Sequence, residues 1–419
     1  MHRYVLAILL AALICAPPSV SVADDDGTLN VYWKEGLRLD GADGVFKLKI
    51  GGRIQNDWAV FDDGKDVEAA TGDIDDGTEF RRARLYVAGV IYEHVIFKAQ
   101  YDFAGGDADF KDVYIGLQDL AWIGTIRAGH MFEPFSLEQL TSSKYITFLE
   151  RGLPIALAFD RNTGIVINNT AFDERMTWAA GVFRDSDSFG DSVGSEYNFS
   201  GRITGLPLFM ADDQLIHVGA GYRHSNPVDD ELRLTSRPEA HIAPNFVDTR
   251  DLIPDPANPG EFLASDIAAD DTESVGGELA AVFGPLSLQG EYIHTFVDAA
   301  GGDVDLSGWY AFASLWLTGE HRVYDKGEGV FSRVKPHQNF NARGGPGAWE
   351  IALRYSTLDF DDGSVTGGEL DDITVGLNWH LNPNTRVQMN YVRAYLDDRD
   401  GLVGEESVNI YQWRFQVDF

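Results

Sequence analysis

The sequence predicts an all-β chain, a 16-stranded antiparallel transmembrane β-barrel, from three observations. Runs of apolar and polar residues alternate with period two, the links between runs alternate in length, and no apolar stretch after the leader is long enough for a membrane helix. The alternation is plainest in "NIYQWRFQVDF", where Tyr411, Trp413, Phe415, Val417 and Phe419 oppose Gln412, Arg414, Gln416 and Asp418. It recurs in "AWEIALRYS" and "VIFKAQYDF", while "WYAFASLWLTG" is apolar on both faces and leaves its orientation open. Sixteen such runs lie at 46–61, 78–92, 93–104, 110–119, 122–131, 163–173, 175–185, 196–206, 214–224, 274–284, 286–297, 306–321, 347–358, 370–381, 384–396 and 406–419.

The links supply the parity. Residues 62–77, 132–162, 225–273 and "LDFDDGSVTGGE" are long, whereas 92–93, "FDER", "GP" at 284–285 and "NPN" at 382–384 are short. An outer-membrane barrel has long external loops, short periplasmic turns and both chain ends in the periplasm. The link 322–346 breaks the parity, being long where a periplasmic turn is expected. Trp122, Tyr292, Tyr355, Trp379, Tyr395 and Tyr411 fall near strand ends, where aromatic girdles meet a bilayer interface. A soluble sandwich or propeller accounts for neither feature.

Residues 1–23 read as a secretory signal peptide: a basic start at Arg3, an apolar run from Tyr4 to Ala16, and small residues before a cut after Ala23. A lipoprotein signal at Cys15 is the rival, opposed by the bulky Ile14 before it. The mature part, 24–419, is a single barrel domain without cysteine, so it has neither disulfide nor thiol nucleophile.

Charge narrows the function. With 66 acidic residues against 33 basic, the net charge of −33 argues against nucleic acid as a partner. The acids cluster in Gly- and Asp-rich links such as "FDDGKDVEAATGDIDDGTE", "RDSDSFGDSVGSE" and "LDDRDGLVGEE". The bases fall within the strands. In "GTEFRRARLYV", Leu85 and Val87 face outward, which turns Arg82, Arg84 and Tyr86 into the lumen and leaves Arg81 facing out near the membrane edge. The same alternation directs Lys47, Lys49, Arg53, Lys98, Arg127, Arg202, Arg223, Arg354 and Arg414 inward. Arginines along a narrow aqueous passage favour anions, and a guanidinium fork suits phosphate. The competing reading is that these arginines brace the wall against inward Asp57, Asp102, Glu291, Glu350 and Asp418. No histidine sits in a nucleophile motif, and no metal-ligand spacing or phosphate-binding glycine loop appears, so neither an enzyme nor a cofactor is expected.

Several segments resemble the phosphate-selective porins O and P of Gram-negative outer membranes. They include "GVFKLKIGGRIQNDWAVF", "FRRARLYVAGVIYEHVIFKAQYDF", "IRAGHMFEPFSLEQLTSSKYITFLERG", "LWLTGEHRVYDKGEGVFSRVKPHQNF" and "GAWEIALRYSTLDF". The resemblance spans nearly all of 24–419 and implies a homotrimeric, anion-selective porin in outer-membrane lipid, with phosphate or polyphosphate as substrate. The link 132–162 is apolar for an exposed loop, as one folded into the barrel would be. It resembles the family's constriction loop and would present Ser142, Ser143, Lys144 and Arg151. The basic link 322–346 carries Arg333 and Lys335 and is expected to fold back into the lower lumen. Acidic external loops keep a general or cation-preferring porin open as the alternative, with a structural or adhesin barrel behind it.

Overall fold

The computed structural model describes residues 29–41, 44–62, 67–185, 196–254, 262–341, 343–397, 399 and 405–419. The expected signal peptide lies outside these residues, as do most of the acidic runs at 184–196 and 398–404. Sixteen long strands form the wall: Phe46–Asp62, Gly77–Ile91, Val95–Asp102, Asp109–Leu120, Gly124–Phe132, Arg161–Ala171, Met176–Arg184, Asn198–Ala211, Gln214–Ser225, Ile267–Phe283, Leu286–Ala299, Val304–Trp316, Ala348–Asp362, Val365–Asn382, Thr385–Asp397 and Glu406–Asp418. Each pairs antiparallel with its neighbours in sequence. The last strand then pairs with the first, from Asn409 opposite Asp62 to Asp418 opposite Arg53, and the ring closes. Below that seam a short hairpin, Asn30–Trp33 with Leu37–Asp40, lies beside the first strand at Lys47–Ile50.

The seam is completed by the last residue. Phe419 exchanges backbone hydrogen bonds with Gly52, at 2.6 and 3.0 Å. A Cβ on Gly51 would lie 2.5 Å from the Phe419 carbonyl oxygen, and one on Gly52 2.8 Å from its ring. Only glycine admits the chain end here.

The wall is inverted relative to a soluble core. Ile54, Leu85, Ile115, Ile165, Leu279, Leu353 and Phe415 are exposed on the outside, while Gln55, Arg82, Gln100, Arg202, Glu278, Arg354 and Gln412 are buried inside. The strand that was apolar on both faces turns Trp309 and Leu315 outward and Tyr310 and Phe312 inward. Trp122 and the stacked pair Trp349–Trp379 (5.1 Å) mark the outer rim at the short-turn end, while Tyr292, Trp309 and Tyr355 form an outward aromatic patch midway along their strands.

Three departures from the sequence reading follow from local geometry. The hairpin 359–369 is no long loop, because the strands continue to Asp362 and Val365 and turn through Gly363, at φ 60°. Arg81 faces inward rather than out. A β-bulge puts Gln55 opposite Arg82 but Asn56 opposite Phe80, so Arg81 is the extra residue and the phase of the strand changes across it. Phe80 therefore faces out, 60% exposed, while Arg81 and Arg82 both turn towards Glu150. The third departure is a lumen insert from the external link 226–266. A small hairpin, Thr235–Ser236 with Val247–Asp248, carries Glu239 into the barrel, where Arg354, Ser356 and Thr374 hold its carboxylate.

Two further inserts occupy the lumen as expected. The loop between Phe132 and Arg161 packs Phe148 against Phe312 (5.5 Å) and over Gly376. The periplasmic link folds upward as a hairpin, Val323–Asp325 with Val330–Ser332, and reaches Thr141 of that loop through the Phe331 backbone N–H. An added Cβ on Gly376 would meet the Phe148 ring at 3.2 Å. Gly376→Leu is expected to lever the loop off the wall at a cost of about 1–3 kcal/mol. Single-channel recording in planar bilayers checks this: conductance should rise above wild type, and an unchanged conductance would mean the loop yields without moving.

Candidate functional site: the lumen at the inward loop

The inward loop is held by a row of wall donors. Its short helix Leu137–Leu140 begins at Ser136, whose Oγ accepts from the Gln139 N–H. Glu291 of the wall accepts the next free N–H groups, from Leu137 at 2.9 Å and Glu138 at 2.8 Å. Beyond the helix the loop's carbonyls are taken in order. Gln55 and Arg386 donate to Ser143, Arg386 to Ile146, Asn378 and Gln388 to Thr147, Arg414 to Leu149, and Arg354 to Glu150. This satisfies backbone groups that an irregular segment inside a barrel would otherwise leave without partners. The Glu150 carboxylate is clasped by Arg81 (3.0 and 3.1 Å) and Arg414 (2.6 Å). Burial opposes its ionisation, but Arg81, Arg82 and Arg414 outweigh burial and keep its carboxyl well below the usual range.

Most of the basic residues expected to line the passage are engaged with acids. Arg82 donates to Gln55 (3.0 Å) with Glu150 at 3.8 Å, and Arg84 pairs with Asp102 at 2.6 Å. Lys98 and Arg161 share Asp112, at 2.5 and 2.7 Å. Arg202 forks onto Glu278 at 2.7 and 2.9 Å, and Arg223 binds Glu133 at 3.0 Å with its guanidinium over Phe159. Arg333 pairs with Asp418, and Arg354 with Glu138 and Glu239. Lys335 is exposed beside Glu35 (3.7 Å), away from the narrow part. Arg151 donates to the Glu138, Gln139 and Thr141 carbonyls and so braces its own loop.

Arg127 meets only Asn168 (3.1 Å), in the wall below the loop, and a further small group without acids sits at the loop tip. Arg53 donates to Ser143 Oγ at 2.6 Å and lies 3.4 Å from Ser142 Oγ. Lys144 stands over the Tyr145 ring, and Lys49 over Tyr86. Among the described residues, no carboxylate lies within 4.0 Å of Arg53, Lys49 or Lys144. Burial, then the Arg53 charge, pulls the Lys144 ammonium down to about 7. Above the loop a cavity of about 450 Å³ is lined by Arg81, Arg151, Glu239 and His241; below it one of about 350 Å³ is lined by Lys98, Arg127 and Ser142. The inward loop contributes to both cavities, with Arg151 lining the upper one and Ser142 and Tyr145 the lower.

Arg386, Arg161 and Glu239 were missed as functional positions. For Arg386 the signal was present, since Val387 and Met389 face out and alternation turns Arg386 inward. For Glu239 the only sign was a stretch, "SRPEAHIAPNFV", poorer in acids than the link around it.

A family model for the phosphate-selective porins O and P matches residues 48–419. The chain belongs to that family. It is similar to Porin O of Pseudomonas aeruginosa, at 27% identity over 99% of this chain and 98% of that protein. It is also 27% identical to an uncharacterised protein of Caulobacter vibrioides, over 96% of this chain and 80% of that one. Among solved structures, the anion-selective porin from Comamonas acidovorans superposes with a TM-score of 0.55 at 15% identity, covering 89% of this chain and 100% of that one. The outer-membrane channel DcaP of Acinetobacter baumannii gives 0.54 at 11% identity, covering 90% and 99%. Those two likenesses concern the barrel fold alone. This porin is an outer-membrane protein, and its lumen, with three inserts, is the channel.

Two outcomes follow. Arg354→Met strands Glu138 and Glu239, both buried, and is expected to cost the porin about 3–5 kcal/mol, read as a lower urea midpoint of the barrel refolded in detergent. A Lys144 amine titrating near 7 is charged at pH 6 and neutral at pH 8, so anion preference should fall as pH rises through 7. Reversal potentials at the two pH values check this, and Lys144→Met should flatten the dependence.

Proposed function

We propose that this porin is a passive, water-filled channel selective for small inorganic anions, phosphate foremost. The observation that carries it is the loop-tip group: among the described residues Arg53, Lys49 and Lys144 have no carboxylate at ion-pair distance, and Arg53 donates to the hydroxyls of Ser142 and Ser143. A phosphate entering there loses part of its hydration to hydroxyl and guanidinium donors. The ion pairs elsewhere, from Arg84–Asp102 to Arg202–Glu278, are internally neutralised and shape the lumen rather than charge it. Release is fast because the tip offers single donors from several residues in place of one enclosed cage. The family's description as phosphate-selective supports the same choice of ion.

In this reading the exported chain is cut after Ala23 and residues 24–419 form the barrel, three copies assemble, and the outward apolar band rests in outer-membrane lipid. OmpT of Vibrio cholerae, a protein of similar barrel fold, has been solved as a trimer. Planar bilayers holding a potassium chloride gradient test the selectivity. The reversal potential should have the sign of chloride permeation, and phosphate should block the chloride current. Arg53→Met or Lys144→Glu should weaken both effects. A potassium-preferring channel would overturn the proposal in favour of a general or cation-preferring porin.

A further inference from the structure

The cavity below the loop differs in chemistry from the tip above it. Its volume of about 350 Å³ is in the range of small-molecule sites. One side is apolar, with Met131 and Val166 packed beside the Tyr114 ring, and Phe331 and Leu140 contributed by the two inserts. A purely hydrated ion gains nothing from such a wall.

The charges at this level are nearly spent. Lys98 is shared with Asp112, and Arg202 is matched by Glu278. Among the described residues lining the cavity, Arg127 is the cation with no carboxylate at ion-pair distance. Its Nη2 donates to Asn168 at 3.1 Å, its guanidinium stands 5.5 Å from the Tyr114 ring centre, and its buried Nε has no hydrogen-bond partner. Glu328 and Asp325 of the periplasmic hairpin line the same cavity; Glu328 feels the Arg127 charge, while Asp325 accepts from the Gly327 and Glu328 N–H groups of its own turn. One available cation with two carboxylates nearby is a poor site for a compact dianion. It suits a single diffuse negative charge attached to a ring, which can lie against Tyr114 and Met131 while its carboxylate takes the unused Arg127 N–H.

We propose that this chamber is a binding station for aromatic monocarboxylates, so that the channel passes organic anions as well as inorganic ones. The proposal rests on the anion-channel reading of the loop tip but on different residues. An anion that clears the tip meets the chamber before the periplasm, and a ring-bearing one pauses there.

The test uses the full-length porin in planar bilayers, with benzoate, acetate or phosphate added from the periplasmic side at constant chloride. Benzoate is expected to block chloride current at a concentration about tenfold below that of acetate, the size of one aromatic contact together with the burial of its ring. Tyr114→Ala and Arg127→Gln should each raise the half-blocking benzoate concentration several-fold, while Tyr114→Phe, which keeps the ring, should not. Phosphate block, set at the tip, should be unchanged by Tyr114→Ala. Equal block by benzoate and acetate in the wild-type channel, a comparison that needs no variant, would overturn the proposal. So would benzoate block that survives both Tyr114→Ala and Arg127→Gln. The reversal potential of the same membranes separates the two readings: anion preference with no benzoate advantage sinks the chamber alone, whereas cation preference sinks the channel reading beneath it.

Discussion

Everything in this molecule depends on one constraint: a strand in hydrocarbon has no water to take its backbone N–H and C=O groups. Each must be met by a neighbouring strand, so the sheet has to return to its starting point. The return is made by Glu406–Asp418 against Phe46–Asp62, finished by Phe419 lying on Gly51 and Gly52. Once the backbone is satisfied around the ring, side chains are free to invert the usual order, with leucine and valine outside and arginine and glutamate within.

That inversion explains why so many arginines here are structural. A polar interior crowded by three inserts has little water at the contacts, and buried charges there need partners. The inserts supply them: Glu138 and Glu150 from the inward loop, Glu239 from the external hairpin, and the Gly329 carbonyl from the periplasmic one. The wall arginines are the pegs on which the inserts hang. Selectivity is then left to the few cations that no insert neutralises, which is a smaller and more local device than a uniformly basic lumen.

The strands and their faces were legible in the sequence because period two is written residue by residue, and closure followed from their number and from the parity of the links. Two kinds of feature were not. The bulge at Arg81 changes the phase of alternation without any glycine or proline to announce it, and the acid that Arg81 meets there, Glu150, lies far along the chain. The engaged or unengaged state of each inward arginine depends on which acid an insert brings to it. Arg354 and Arg53 look alike as inward basic positions, yet one meets two carboxylates and the other two serines. The inward loop was visible through its apolar content, whereas the external hairpin was masked by the acidic residues that surround it.

The periplasmic insert is anchored at both extremes of the chain. Arg333 pairs with Asp418 of the final strand, and Arg333 and Lys335 both approach Glu35 in the hairpin that precedes the first. One guanidinium therefore touches both sides of the join: Arg333 reaches the final strand through Asp418 and, through Glu35, the hairpin paired with the first strand. The insert that narrows the exit is also a staple across the line at which the ring is closed.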